Sequence, residues 1–266
     1  MQETAFEFPA PPARTADEHR ALIREVIRLS LYFAAAYQAR HPAEPFADVL
    51  IRRTSIWEMT GQKNTPASLE WTAALGRLFE KDPRPEAVEA EGARLLEPHL
   101  ERLLESGRQW ERNSVAPYKG GSLRYDAPLQ ELPRNYCNFH ITNAISPRSI
   151  LVETRYTAGC FLKLMDDAER EFGFDVLRTM TWLNSAPPWL KFFPAEWHAH
   201  IEAPFAEIHG NLGFWGQILT ARKTFSAKRG AYIRAHLALP YPPRAAHCPF
   251  AALRAHLNRL LDGQPV

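Results

Sequence analysis

Apolar residues recur three or four positions apart along most of the chain. Over residues 15–39 this spacing gives one broad apolar face, which predicts a long helix with Thr15 or Asp17 as its N-cap. We expect Pro98 to kink or split a later helix and Pro204 to interrupt another. The same spacing predicts the remaining helices over residues 46–59, 66–81, 86–112, 146–172, 175–183, 194–220, 224–238 and 249–261.

Residues 135–142 depart from the helical pattern. Cys137, Phe139 and Ile141 alternate with polar neighbours, which is the period of a half-buried strand. We expect this strand to pair with residues 122–126 in a small antiparallel sheet or ribbon. The predicted fold class is therefore mainly α, a single compact helical domain with a small antiparallel β element near residues 122–142.

The predicted domain organisation is simple, because no long flexible linker interrupts the pattern. Prolines near the start of the chain predict an extended arm over residues 1–14. One globular domain is expected over residues 15–266. It comprises a helical half (15–112), the β element (113–143) and a second helical half (146–262).

Composition narrows the class of protein. Lys+Arg number 32 and Asp+Glu 30 in 266 residues, and we see no clustered basic face, so nucleic-acid binding is not expected. The beginning of the chain lacks a signal-peptide pattern, and no apolar stretch is long enough for a membrane span. Three widely spaced cysteines favour reduced thiols and a cytoplasmic location. An excess of arginine over lysine is weakly typical of GC-rich bacteria.

Common catalytic signatures are missing from the sequence. It has no glycine-rich dinucleotide or phosphate loop, no nucleophile elbow and no paired-histidine zinc motif. We therefore expect no organic cofactor. Local groupings of polar residues are the remaining candidates for a functional site.

The first grouping follows the predicted strand directly. If a helix begins at residue 146, its unpaired backbone N–H groups form an anion-binding end, to which Asn143, Ser146 and Ser149 add donors and Arg148 a positive charge. The structural alternative is an ordinary helix cap, with Arg148 in solvent or paired with Glu153.

His140 lies on the polar side of the same strand. Because imidazole titrates near neutral pH, a histidine beside an anion site is a candidate general acid or base. The equally weighted alternative is a histidine that orders its polar neighbours by hydrogen bonding.

The second grouping lies between His209 and Gln217. In a helix these residues and two glycines between them would share one face, where the bare backbone admits either a packed helix or a ligand. Helix packing is the commoner reason for such glycines. The ligand interpretation makes His209 a second catalytic residue and Gln217 a substrate-orienting one.

A third grouping suggests metal binding as an alternative. His198 and Glu202 would share a helical face, and His200 lies between them, so a divalent metal is one alternative cofactor. Such histidine runs are more often solvated surface. In a nearby aromatic segment, Asn184 is a candidate polar group that orients a substrate.

Three hypotheses about function follow. The first is a biosynthetic enzyme that acts on a small anionic metabolite by acid/base chemistry, such as elimination, cyclisation or hydrolysis, without an organic cofactor. The second is a metal-dependent enzyme. The third is a non-catalytic subunit that stabilises an enzyme partner. No membrane partner is expected, and homo- or hetero-oligomer formation is left open.

Overall fold

The computed structural model describes residues 14–115 and 120–263. The helices are α1 (Ala16–Arg40), α2 (Phe46–Arg53), α3 (Ile56–Met59), α4 (Pro66–Lys81), α5 (Pro85–Leu96), α6 (Leu100–Val115), α7 (Thr154–Phe172), α8 (Pro187–Leu190), α9 (Ala195–Ala199), α10 (Leu212–Trp215), α11 (Ala227–His236) and α12 (Phe250–Leu261). The strands are β1 (Leu123–Tyr125), β2 (Tyr136–Ile141), β3 (Val176–Thr181) and β4 (Arg244–Pro249). A mainly helical fold with a small sheet is therefore confirmed.

The chain divides into two compact units. Of the described residues, 115, 120–205 and 243–263 form the sheet unit, and 14–114 and 206–242 form the helical unit. Neither unit is continuous in sequence, and the single domain predicted over residues 15–266 is not confirmed. Of the predicted arm over residues 1–14, only residue 14 lies within the described residues.

The helical unit is organised around α1. Thr15 and Glu18 form a capping box at its N-terminus, which confirms Thr15 as the N-cap. The buried face of α1 packs against α2, α3, α5 and α11. A short 3-10 turn at Glu97–His99 separates α5 from α6, so Pro98 splits the predicted helix as expected. The helix predicted over residues 46–59 is instead two helices, α2 and α3.

Close packing of α1 against α5 depends on a glycine. A Cβ atom added to Gly92 would lie 2.8 Å from Leu31 Cδ1 and 2.9 Å from Leu75 Cδ2. Both distances are shorter than van der Waals contact. A side chain at position 92 would therefore require the methyl groups of Leu31 and Leu75 to move within a closely packed core.

The sheet unit contains one mixed sheet with the strand order β1-β2-β3-β4. β1 and β2 are antiparallel, as predicted, and Arg124 lies opposite His140. β2 and β3 are parallel, with Asn138 opposite Arg178, and β3 and β4 are antiparallel, with Arg178 opposite His247. The helix predicted over residues 175–183 is thus wrong, and β4 forms over residues 244–249, where no strand was predicted.

Alternation of buried and half-buried residues explains β3. Leu177, Thr179 and Thr181 are buried, whereas Arg178 and Met180 between them are partly exposed. Thr179 Oγ1 donates a hydrogen bond to Phe139 O at 2.9 Å. The threonines favour a strand, and pairing on both sides outweighs the helical spacing of the apolar residues.

The buried face of the sheet rests on helices. Phe139 of β2 contacts Phe161 of α7 edge-to-face, with ring centroids 5.6 Å apart. Phe161 in turn contacts Trp189 and Phe193, and all four rings are almost fully buried. This aromatic core fixes the sheet, so the opposite face presents its polar side chains from a rigid support.

The predicted helix over residues 146–172 begins later, at Thr154. Residues 146–153 form turns in which Val152 N and Glu153 N both donate to Ser149 O, at 2.9 and 3.0 Å. Ser146-Pro147 is a cis peptide. Because α7 starts after these turns, Ser146 is not its N-cap.

The helix predicted over residues 194–220 is not formed. α9 ends at Ala199, and Glu202 N and Phe205 N then donate to Ala245 O and Pro243 O along the edge of β4, at 2.9 and 3.1 Å. α10 has only four residues and continues into a 3-10 turn. No helix in the described part of the chain is both long and apolar enough to cross a membrane.

Candidate functional site

Seven polar side chains from the strands and from the residue that follows β1 share one face of the sheet. Strand register places them there, because directly opposite residues point to the same side and every second residue of a strand does likewise. We call this group the polar sheet face. Its members are Arg124, Asp126, Tyr136, Asn138, His140, Arg178 and His247.

A hydrogen-bonded carboxylate–imidazole pair lies on this face. Asp126 Oδ2 accepts hydrogen bonds from His140 Nε2 and from Asn138 Nδ2, both at 2.7 Å. Because an ionised carboxylate only accepts, the neutral imidazole carries its proton on Nε2 and its lone pair on Nδ1. His140 Nδ1 makes no hydrogen bond within residues 14–115 and 120–263. The side chain of His140 is 39% exposed, so the ring is accessible to solvent.

The carboxylate of this pair is held in its ionised form. Burial raises the pKa of Asp126, but the hydrogen bonds from His140 and Asn138 and the charge of Arg124 outweigh that effect. The pKa of Asp126 therefore lies below its usual value. An ionised Asp126 fixes the tautomer of His140 and stabilises the imidazolium that forms when Nδ1 takes a proton.

Arg178 supplies positive charge beside this pair. It lies on β3 directly opposite Asn138 of β2 and His247 of β4, and it is only partly exposed. Its guanidinium makes no ion pair or hydrogen bond with the described residues. A partly buried arginine whose guanidinium has no carboxylate partner is suited to bind a carboxylate or phosphate.

His247 completes the face on β4. Its ring stacks on His200 with centroids 4.4 Å apart, and Tyr136 lies 5.6 Å away. Burial lowers the pKa of His247, and the charges of His200 and Arg178 lower it further against the opposing effect of Glu202. His247 is therefore neutral at neutral pH and able to accept a proton.

The residues of the predicted anion-binding turn lie in a loop rather than at a helix N-terminus. Asn143 Nδ2 donates to Arg148 O at 2.7 Å, and Ser149 Oγ accepts from Leu151 N at 3.2 Å. Arg148 Nε lies 4.0 Å from Glu153 Oε1, which is the pairing foreseen as the structural alternative. Ser146 is joined to Pro147 by the cis peptide bond. The helix end predicted at Asn143, Ser146, Arg148 and Ser149 is therefore not formed, because α7 begins at Thr154.

The two predicted substrate-orienting amides stabilise the chain itself. Asn184 Nδ2 donates to Thr179 O and Arg244 O, at 3.2 and 2.9 Å, within the sheet unit. Gln217 is fully buried; its amide donates to Phe214 O and Tyr241 O and accepts from Tyr241 N, at 2.8, 3.0 and 2.9 Å. Both side chains therefore stabilise the fold by hydrogen bonding to backbone groups.

His209 lies in the helical unit, whereas His140 lies in the sheet unit. His209 precedes α10, so it does not share a helical face with Gln217, contrary to the prediction. Its exposed ring contacts Phe214 edge-to-face with centroids 5.0 Å apart. Gly210 next to it approaches the end of α2, because an added Cβ would lie 2.1 Å from Thr54 O. The glycine at this position therefore serves chain packing.

The alternative metal site is not assembled as predicted. His198 lies on α9 and Glu202 beyond its end, so the two do not share a helical face. No three His, Cys, Asp or Glu side chains of the described chain are placed so that they could hold a metal ion. The cysteines Cys137, Cys160 and Cys248 are free and buried, and burial raises the pKa of Cys137 and Cys248 to about 12.

The helical unit contains a separate cluster of charged residues. Glu111 accepts from Arg14 at 2.8 Å and from Lys223 at 2.9 Å, and Arg14 also donates to His19 Nδ1. Burial and the nearby charge of Arg14 lower the pKa of His19 to about 4. The cluster links α1, α6 and the turn before α11, and its ion pairs indicate a structural role.

A cleft in the helical unit is too small for a metabolite. It is lined by Trp57, Thr54, Thr72 and neighbouring residues and has a volume of about 20 Å³. That space accommodates one water molecule. The polar sheet face is therefore the stronger candidate site.

Comparison with known proteins adds no assignment. No protein-family model, curated protein or solved structure is significantly similar to the chain.

Proposed function

We propose that the polar sheet face is an active site at which His140 and Asp126 transfer a proton to or from a small anionic metabolite, without an organic cofactor. The observation that carries this proposal is the 2.7 Å hydrogen bond between Asp126 Oδ2 and His140 Nε2, which leaves the lone pair of the neutral ring on Nδ1. A general base needs an oriented lone pair within reach of its substrate.

Arg178 is the residue that we expect to bind the anionic group. From strand geometry, its Cα atom lies roughly 8 Å from that of His140, one strand across and two residues along. A substrate of a few carbon atoms spans this gap between its anionic group and its reacting atom. Charge-assisted hydrogen bonds from a guanidinium contribute about 1.5–3 kcal/mol each, so Arg178 dominates binding in this account.

His140 then acts on the bound molecule. Neutral His140 takes a proton through Nδ1, and the charge of Asp126 stabilises the imidazolium. In the reverse direction the imidazolium donates the same proton. Asn138 keeps Asp126 in place, because its amide donates to the same carboxylate oxygen. Elimination, isomerisation and related proton-transfer reactions use these groups.

We also propose a cytoplasmic location. The three cysteines are free and buried, which suits a reducing compartment.

Anion binding tests the proposal directly. Malonate and inorganic phosphate are titrated into the full chain by calorimetry, with Arg178→Gln as the test variant. Arg170→Gln is the matched control, because Arg170 lies on α7 with its side chain 74% exposed and paired with Asp167. We expect Arg178→Gln to weaken binding at least tenfold and Arg170→Gln to leave it unchanged. Absence of binding to the wild-type protein, or equal binding by both variants, would overturn the proposal.

A further inference from the structure

The polar sheet face carries a second histidine that the proposed proton transfer does not use. His247 lies directly opposite Arg178 on one side, and Asn138, two residues before His140, lies opposite it on the other. In strand geometry the Cα atoms of the two histidines are roughly 12 Å apart, with Arg178 on the strand between them. Two imidazoles thus flank the expected anion site.

The two imidazoles have different electrostatic surroundings. His140 Nε2 is hydrogen-bonded to Asp126, so its ring faces a carboxylate. His247 is kept neutral by burial and by the charges of His200 and Arg178, with Glu202 opposing and the Tyr136 ring alongside. Its ring nitrogens make no hydrogen bond within the described part of the chain. One imidazole thus faces a carboxylate and the other faces two cationic neighbours, and such a difference in surroundings is typical of acid/base pairs.

We infer that His247 is the general base and His140 the general acid in the dehydration of a small 3-hydroxycarboxylate, whose carboxylate binds Arg178. This inference rests on the proposed function. In the bound state that we infer, the carbon next to the carboxylate faces His247, which lies directly opposite Arg178. The hydroxyl on the following carbon faces His140.

The step balances without a further reactant. His247 takes the proton from the carbon next to the carboxylate, and the electron pair of that C–H bond becomes the new double bond. The bond from the neighbouring carbon to its hydroxyl oxygen breaks with its electron pair on oxygen. The imidazolium of His140 gives its proton to that oxygen, so that water leaves. The His200 ring stacked on His247 makes His200 a positioning residue for the base.

Histidine signals in NMR spectra of the full chain separate this inference from the proposed function. We expect added malonate to shift the imidazole signals of both His140 and His247 in the wild-type protein. In Arg178→Gln, malonate should shift neither signal. Malonate should also raise the pKa of His247, because the bound anion offsets the charge of Arg178. A shift of His140 alone would overturn the inference and leave the proposed function standing. No shift of either signal would overturn both.

The reaction itself gives the second readout. Malate and 3-hydroxybutyrate are the probes, and the unsaturated products are followed by absorbance. We expect His247→Asn and His140→Asn each to lower the rate at least 100-fold, and His236→Asn, an exposed histidine in the helical unit, to leave it unchanged. Circular dichroism verifies that each variant is folded. No product from the wild-type protein, or a wild-type rate in His247→Asn, would overturn the inference.

Discussion

Acidification should destabilise the protein through one buried imidazole, His19. Arg14 donates a hydrogen bond to His19 Nδ1, so the neutral ring carries its proton on Nε2. Protonation of Nδ1 would place two donors against each other beside a positive charge. Burial and this charge lower the pKa of His19 to about 4, from its usual value of 6.5.

The sign and size of the effect follow from these two values. Between pH 6.5 and 4 the unfolded chain binds a proton at residue 19 that the folded chain does not, so the free energy of unfolding falls as the pH falls. The full difference is about 3 kcal/mol, at about 1.4 kcal/mol per pKa unit. About 2.5 kcal/mol of it is lost between pH 7.5 and pH 4.5.

His19→Asn tests this calculation, because Asn places an acceptor near the position of Nδ1 and does not titrate. Urea unfolding of the full chain is measured from pH 7.5 to 4.5 for the wild-type protein, His19→Asn and the exposed control His236→Asn. We expect the stability advantage of the wild type over His19→Asn to shrink by about 2.5 kcal/mol across this range. Parallel curves for the wild type and His19→Asn would refute the reasoning.

Three further predictions concern packing and burial. Gly92→Ala should lower the free energy of unfolding by about 1–3 kcal/mol through overpacking against α1. The control Gly76→Ala should be neutral or stabilising, because no atom lies within 4 Å of the added Cβ. Equal melting temperatures of the two variants would contradict the close packing at position 92. Gln217→Ala should cost about 3 kcal/mol, because three hydrogen bonds are lost in a buried site, and a cost below about 1 kcal/mol would show that the amide is dispensable. The three cysteines should resist a thiol-specific reagent in the folded protein and react once urea unfolds it; rapid labelling of the folded protein would contradict their burial.

Helices whose ends are determined locally could be predicted from the sequence. Thr15 caps α1, Thr65 caps α4 and Pro98 divides α5 from α6, because caps and prolines act on residues a few positions away. β3 and β4 depend on pairing between segments about 70 residues apart in sequence, as in the Arg178–His247 pair. The apolar spacing in β3 also fits a helix, so a single sequence could not decide between them.

The candidate site, too, could be predicted only where the local sequence pattern was clear. His140 was identified because alternation in β2 is unambiguous, and the structure adds its hydrogen bond to Asp126. Arg178 and His247 were missed because β3 was interpreted as a helix and β4 was not predicted at all. The alternation of Arg178 with Leu177 and Thr179 was the available signal. His209 was selected on a helical face that the structure does not form.

Proton exchange tests the central claim most directly. The full chain is incubated in D₂O with pyruvate and 2-oxoglutarate, and loss of the C–H signals next to the carbonyl group is followed by NMR. We expect the wild-type protein and the control His236→Asn to accelerate exchange equally. His140→Asn should lower the accelerated rate by about 10²- to 10⁴-fold, the usual contribution of a general acid or base. Exchange no faster than in buffer, or a wild-type rate in His140→Asn, would contradict the account.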